Sequence, residues 1–487
     1  MKLKPFLTTF FCLSFIVVFS QNNNLPQDYL TKEFHKDRRE QLRALLPKNS
    51  VAVFFSAAVR NRANDVDYVY HQDPNFYYLT GYKEPNSVLL IFKNEQTIEG
   101  KTFNEVLFVQ ERNEYAEMWT GKRLGVIGVQ DNLGFRVVYN GNVFKSYEID
   151  FSKFDKILFD KFRNDVRDTN DSADLFDLIK TFKEKISFDL INLQNPTNDK
   201  IYNETKKRID TKSLDSFMGT LREVKTIEEL KLLKKAINIS AIGQIEMMKA
   251  MHPNMSETEA QGVHEFVYKK YGAEYEGYPS IVGAGNNGCI LHYIENSKTT
   301  IGNNNLILMD LGAEYHGYTA DVTRTIPSNG KFTTEQRLIY DLVYKAQEAG
   351  IAQAKVGNKF STTTTAARKV INKGLADLGI IASEKSYHSY FPHGATHHIG
   401  LDVHDLTNYG KFKENMVITV EPGIYIPEGS SCDKKWWGIA VRIEDDILIT
   451  KNDPIILSGM APRKSDAIEK IMKLPSVLDD FNLPKLD

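Results

Sequence analysis

Two rhythms of apolar positions divide this chain. Before residue 195, short apolar runs bounded by glycine-containing turns predict buried strands at Ser50–Phe55, Ser87–Phe92 and Asn104–Val109. That region reads as mixed α and β from about Asp28 onwards. Asn195–Lys212 is dense in Asn, Lys and Thr and predicts a connection. After it the spacing becomes helical, with Leu230, Leu233, Ile237 and Ala241 on one stripe. Thr226-Ile-Glu-Glu229 precedes that stripe as a capping box, and His252-Pro253 ends it. Ser256–Glu259 and Thr333–Gln336 are two more capping boxes, separated by glycine-rich strand signals. Helices and antiparallel strands sorted this way predict an α+β second domain of about 240 residues.

The first twenty residues follow a different pattern. Lys2 and Lys4 precede an apolar run over Phe6–Phe19, and Ser20 is small. This is the layout of a secretory signal peptide cleaved between Ser20 and Gln21. The run is about 14 residues, short of the ~20 that cross a bilayer. The expected location is therefore periplasmic or extracellular, with no membrane attachment after cleavage. Only Cys289 and Cys432 would remain in the mature chain, expected as free or buried thiols.

Composition narrows the class without choosing one. The 487 residues suit two cores, and 61 basic against 63 acidic side chains offer no handle for nucleic acid or an anionic membrane.

The chemistry gathers in the second domain. Leu306–Thr325 reads as two β arms around Glu314–Gly317, with Gly317 free to take a positive φ. A turn centred between Tyr315 and His316 would set Asp310 directly opposite Asp321 on one sheet face. Like charges so placed repel, and bound cations remove the objection. Four of the 11 histidines, His393, His397, His398 and His404, fall within twelve residues beside glycines and aspartates. That concentration points to a metal or proton-transfer site. Period two puts Val417, Thr419 and Glu421 on one face of the next strand, and later pairs Arg442 with Glu444. A charged pair on so apolar a run needs a partner on its own side.

In order, Asp310, Asp321, His397, Glu421 and Glu444 resemble the five metal ligands of the methionine aminopeptidase, aminopeptidase P and prolidase group. The flanking words Asn287–Tyr293, His393–His397, Gly400–Asp405, Val420–Tyr425 and Val441–Asp445 are similar to its proline-directed branch. Asp73–Tyr82 and Met118–Leu124 resemble the N-terminal domain of bacterial aminopeptidase P, so the likeness spans about residues 30 to 460. Together with the signal peptide over 1–20 read from its own pattern, this gives an N-terminal domain over 28–195 and a connection over 196–225. A pita-bread catalytic domain over 226–462 and a tail over 463–487 follow.

The implied activity is release of an N-terminal residue from peptides with proline second, by attack of a hydroxide bridging two divalent metals. Mn²⁺ is favoured by the oxygen-rich ligand set, with Zn²⁺ or Co²⁺ as alternatives. The resemblance assigns substrate contact or proton movement to His292, His393 and His404, and the attacking water's proton to Glu421. It also lines the site with Tyr425 and Arg442, and has Trp119 close a neighbouring subunit's site in a homodimer or homotetramer. Prolidase chemistry restricted to dipeptides, a non-catalytic binding protein and creatinase-like hydrolysis without metals are the competing readings. The intact ligand set argues against the last two.

Overall fold

The computed structural model describes residues 28–189, 200–297 and 301–479. The expected leader and its cleavage point lie outside the described residues.

The first half opens with helix α1 (Lys32–Leu45), whose N-cap Thr31 accepts from the Phe34 amide. One six-stranded mixed sheet follows, built from β1 (Ser50–Phe55), β2 (Val88–Ile98), β3 (Lys101–Val109), β4 (Val138–Asn140), β5 (Lys156–Phe159) and β6 (Ile209–Asp210). Its order is β4–β3–β2–β1–β5–β6, so the three predicted strands are adjacent and interior. Val51, Val53, Leu90 and Phe108 pack on one face against Phe144, Phe154 and Phe182. Ala52, Leu89, Ile91 and Leu107 face the other way, into a core shared with α1 and the second half. Burial on both faces explains why these strands read as continuous apolar runs rather than alternating ones. Helix α2 (Pro74–Thr80) lies over that shared core, and α3 (Glu114–Thr120) carries no buried residue.

The predicted connection is not an open linker. It holds a helix at Lys200–Arg208, strand β6 and helix α4 (Ser213–Arg222), whose Leu214 and Met218 are buried.

All three capping boxes form. They start α5 (Ile227–Ala250), α6 (Glu257–Lys270) and α7 (Thr334–Ile351), each with both reciprocal hydrogen bonds. Helix α8 (Thr362–Asp377) packs on α7, and α9 (Ser465–Ile471) folds back in the tail, where Arg337 pairs with Asp466 and Glu469.

The strands of this half break into small antiparallel sheets: β8 (Ile281–Ala284), β9 (Leu306–Leu311) and β12 (Val322–Pro327) form one. Strands β10 (Ala313–Tyr315) and β11 (Tyr318–Thr319) form the hairpin tip against β7 (Tyr275–Glu276). Two further pairs are β13 (Val417–Val420) with β16 (Asp445–Leu448), and β14 (Gly423–Ile426) with β15 (Ile439–Arg442). No helix among the described residues is long and apolar enough to cross a membrane.

Candidate metal centre

The hairpin that carries two of the predicted ligands is registered two residues from the expected alignment. Asp310 pairs with Thr323, and Tyr315 pairs with Tyr318. The turn is His316-Gly317, both in the left-handed region at φ 51° and 87°. Asp321 therefore lies diagonal to Asp310 instead of directly across from it, still on the same face. A non-glycine residue accepts that conformation because its side chain is anchored. The His316 ring lies 2.6 Å from Glu274 and 3.0 Å from Asp28, and stacks on Tyr29.

Between tip and base the ladder breaks at Gly312 and at Ala320-Asp321. Helix α5 takes over the backbone groups there: Gln244 donates to the Met309 and Val322 carbonyls, and Ser240 accepts from the Ala313 amide. The break lets Asp321 leave the ladder and turn towards β13, β15 and β16.

Three of the five predicted ligands, Asp321, His397 and Glu444, offer donor atoms that all lie within 4.8 Å of one another. His397 is held beside β13, its amide donating to Thr419 Oγ1 and its carbonyl accepting from the Thr419 amide. Its Nδ1 lies 3.1 Å from the His398 carbonyl, which leaves Nε2 facing Asp321 at 3.3 Å and Glu421 at 3.6 Å. Glu421 follows the end of β13, its amide bonded to the Ala395 carbonyl.

Asp310 joins through two neighbours. The Tyr278 hydroxyl sits 2.7 Å from Asp310 and 2.6 Å from Asp321, and Arg442 pairs with Asp310 at 2.5 Å. The same guanidinium donates to Tyr425 Oη and Thr323 Oγ1, and Thr323 donates to Glu444. A further buried acid, Asp446, accepts from the Asp321 amide at 3.2 Å. Its other oxygen has no partner among the described residues.

Electrostatics show what this arrangement lacks. Burial, then the neighbouring carboxylates, push Asp321 and Glu444 well above the usual range. Burial and Glu444 raise Glu421 to about 8. Burial also opposes ionisation of Asp310, but the Arg442 guanidinium wins and holds it below the usual value. Four largely buried carboxylates thus share one arginine, and the shortage of positive charge suits divalent cations. The donor set, four carboxylates and one imidazole, fits hard or borderline ions.

Around the cluster, His393 Nε2 lies 2.9 Å from Tyr425 Oη while its Nδ1 lies 3.8 Å from Glu421. Burial and Arg442 lower His393 to about 4, so its imidazole is neutral at pH 7. The exposed His404 meets the His397 ring edge-on at 4.3 Å. His292 is also exposed, on a loop near enough for its charge to bear on His404. Trp119 is not brought to the cluster. It is 76% exposed on α3, with Tyr115 as its ring neighbour.

Tyr278, Thr323 and Asp446 were not singled out from sequence. Asp446 was visible only as the third member of Glu444-Asp-Asp, and Tyr278 only as a tyrosine before Pro279. Cys289 and Cys432 are both free.

Fold and site together define a metallopeptidase. Residues 231–451 match the model of metallopeptidase family M24, and residues 35–154 match the aminopeptidase P N-terminal domain. The chain is 34% identical over 459 residues to the Xaa-Pro aminopeptidase of Haemophilus influenzae, covering 91% of this chain and 98% of that protein. It is similar to the structure of Escherichia coli aminopeptidase P with the inhibitor Pro-Leu, at TM-score 0.79 and 30% identity, covering 91% and 98% of the two chains. The zinc-substituted E. coli aminopeptidase P with product also matches, at TM-score 0.77 and 30% identity over the same shares. The chain belongs to the M24 metallopeptidases, in the aminopeptidase P branch, and its second half is the pita-bread domain.

Proposed function

We propose that this chain is an Xaa-Pro aminopeptidase, releasing the first residue of peptides whose second residue is proline. The observation that carries the reading is the convergence of Asp321, His397 and Glu444, with Glu421 and Asp310 alongside. These five residues would hold two divalent ions, which when bound lower the pKa of a water and polarise the scissile carbonyl. Mn²⁺ is the ion proposed, on the oxygen-rich ligand set, with Zn²⁺ and Co²⁺ as alternatives.

The chain's own residues supply the rest. Glu421 accepts the proton of the attacking water, and the neutral His393 beside it hydrogen-bonds substrate. Tyr425 holds that histidine and is itself held by Arg442, which neutralises Asp310. His404 and His292, on the open side, contact the peptide around the proline ring. An Xaa-Pro bond has no amide N–H and a fixed φ, so ring contacts replace the backbone grip of general peptidases.

The proposal extends to the assembly and its location. Tyr115, Met118 and Trp119 are all exposed on α3, which suits a surface that a second copy covers, as a dimer or tetramer. Export through the leader over residues 1–20 rests on its charge and apolar pattern, and the exported protein should begin at Gln21.

The test is hydrolysis of an Xaa-Pro-Xaa tripeptide by metal-stripped protein, with and without added Mn²⁺. Cleavage after the first residue should return with metal and be absent in Asp321→Ala. Cleavage of Xaa-Pro dipeptides alone would make this a prolidase, and no cleavage with any ion would end the enzymatic reading.

A further inference from the structure

We infer that Arg222 is a positioning residue for His404, coupling the N-terminal half of the molecule to the loop that presents this histidine. The inference rests on the reading of His404 as a substrate-facing group.

Helix α4 runs along the loop that follows His397. Ser216 donates to Asn408 Oδ1 at 3.1 Å, and Asn408 Nδ2 donates to Thr220 Oγ1 at 2.9 Å. Glu223 accepts from Thr407 Oγ1 and from the Asn408 amide, and pairs with Lys413 at 2.6 Å. A Cβ at Gly219 would lie 3.3 Å from the Thr407 backbone, so helix and loop are in direct contact.

Arg222 is the last residue of this helix, and its side chain is 2% exposed. Its guanidinium reaches Asp405 and, at 2.7 Å, Asp402, while Nη1 donates to Asn75 Oδ1 at 2.8 Å. Lys225 completes the network, donating to Asp405 at 2.6 Å. Two cations meet two carboxylates: Arg222, Lys225 and Asp405 are buried and paired, Asp402 closes the cluster from its exposed side, and only Arg222 Nε lacks a partner among the described residues. Gly400 leaves room for it: a Cβ there would fall 2.2 Å from Asp405 Oδ2.

His404 sits between the two anchored aspartates. Its ring makes no hydrogen bond among the described residues and only edges onto His397. Its position is therefore set by its backbone, which Arg222 braces through Asp402 and Asp405 alongside the Asp405 amide bond to the His398 carbonyl. Asn75 lies in α2 of the N-terminal half, so that half holds one prong of the fork that places the histidine. Lysine keeps the charge of Arg222, but its single compact ammonium lacks the planar fork that lets Nη1 reach Asn75 while Nη2 reaches the two aspartates.

A double-mutant cycle on the metal-loaded full chain tests this. Arg222→Lys should lower kcat/KM for an Xaa-Pro-Xaa peptide by about 10- to 100-fold, the scale of a small misplacement. In His404→Ala the same substitution should cost no more than about twofold, because nothing remains to be positioned. Losses that multiply would overturn the inference. Where Arg222→Lys folds poorly, Asn75→Ala removes a single hydrogen bond outside the ion network and is read by the same cycle. Independently of activity, amide exchange over residues 402–405 should quicken in both variants while β9 stays protected. Unchanged exchange in that loop would also overturn the inference.

Discussion

A single phenolic proton cannot serve two carboxylates, yet the Tyr278 hydroxyl lies within 2.7 Å of both Asp310 and Asp321. The second contact needs either a proton on Asp321 or a cation that draws both oxygens together. Burial and the charge on Asp310 do raise the proton affinity of Asp321 well above the ordinary range. Tyr278 thus braces the two aspartates together. Tyr278→Phe should leave the fold intact and weaken metal binding by about 10- to 100-fold, as loss of an orienting partner typically does. Competition against a chelator measures this directly, and an affinity within twofold of wild type would remove Tyr278 from the support of the centre. The five candidate ligands could be picked out in sequence, and three of them converge in the structure, whereas Tyr278 could not be picked out. It reaches Asp310 and Asp321 across 32 and 43 residues, and nothing local in its segment marks it.

At the scale of elements, local signals were legible and long-range ones were not. A capping box is complete within four residues, and all three formed. The hairpin register was misplaced because the turn was centred between Tyr315 and His316, whereas the two residues that take a positive φ are His316 and Gly317. His316 is stabilised there by Asp28 and Glu274, which lie 288 and 42 residues away in the chain. A shift by two keeps the side-chain parity, so the shared face of Asp310 and Asp321 was still foreseen. The break at Gly312 then aims Asp321. A Cβ at Gly312 would lie 1.8 Å from the Ala320 carbonyl oxygen and 2.8 Å from the Tyr278 ring. Gly312→Ala should therefore push the two arms apart, at a cost of about 1–3 kcal/mol in stability. Metal content after dialysis should fall well below that of wild type, measured by elemental analysis. A fully loaded Gly312→Ala protein would show that the close approach at the break is dispensable.

Over the whole molecule, metal and pH should act on stability together. Metal bound only by the folded state adds about 2.7 kcal/mol at a hundredfold excess over Kd, so stripping it should lower Tm in proportion. Two histidines remote from the ligands set a second dependence. His35 in α1 and His264 in α6 are buried, and desolvation lowers each to about 4. The backbone carbonyls of Tyr78 and Ala260 are their partners, with Arg39 and Lys83 adding repulsion at His35. The unfolded chain titrates each near 6.5, so between about 4 and 6.5 it binds more protons than the folded one. Stability from these sites is complete above about 6.5 and falls as pH drops towards 4, by up to about 3 kcal/mol each. The metal-free centre has the opposite sign. Glu421, raised from 4.5 to about 8, contributes stability that is complete below about 4.5 and is lost as pH rises from there to 8. Urea unfolding of the stripped protein should therefore decline less between pH 7 and 5 than that of the loaded protein. Replacing His264 with Gln should flatten both curves by the same amount, since this site has no part in metal binding. A His264→Gln curve parallel to wild type would show that His264 is protonated inside the fold without penalty.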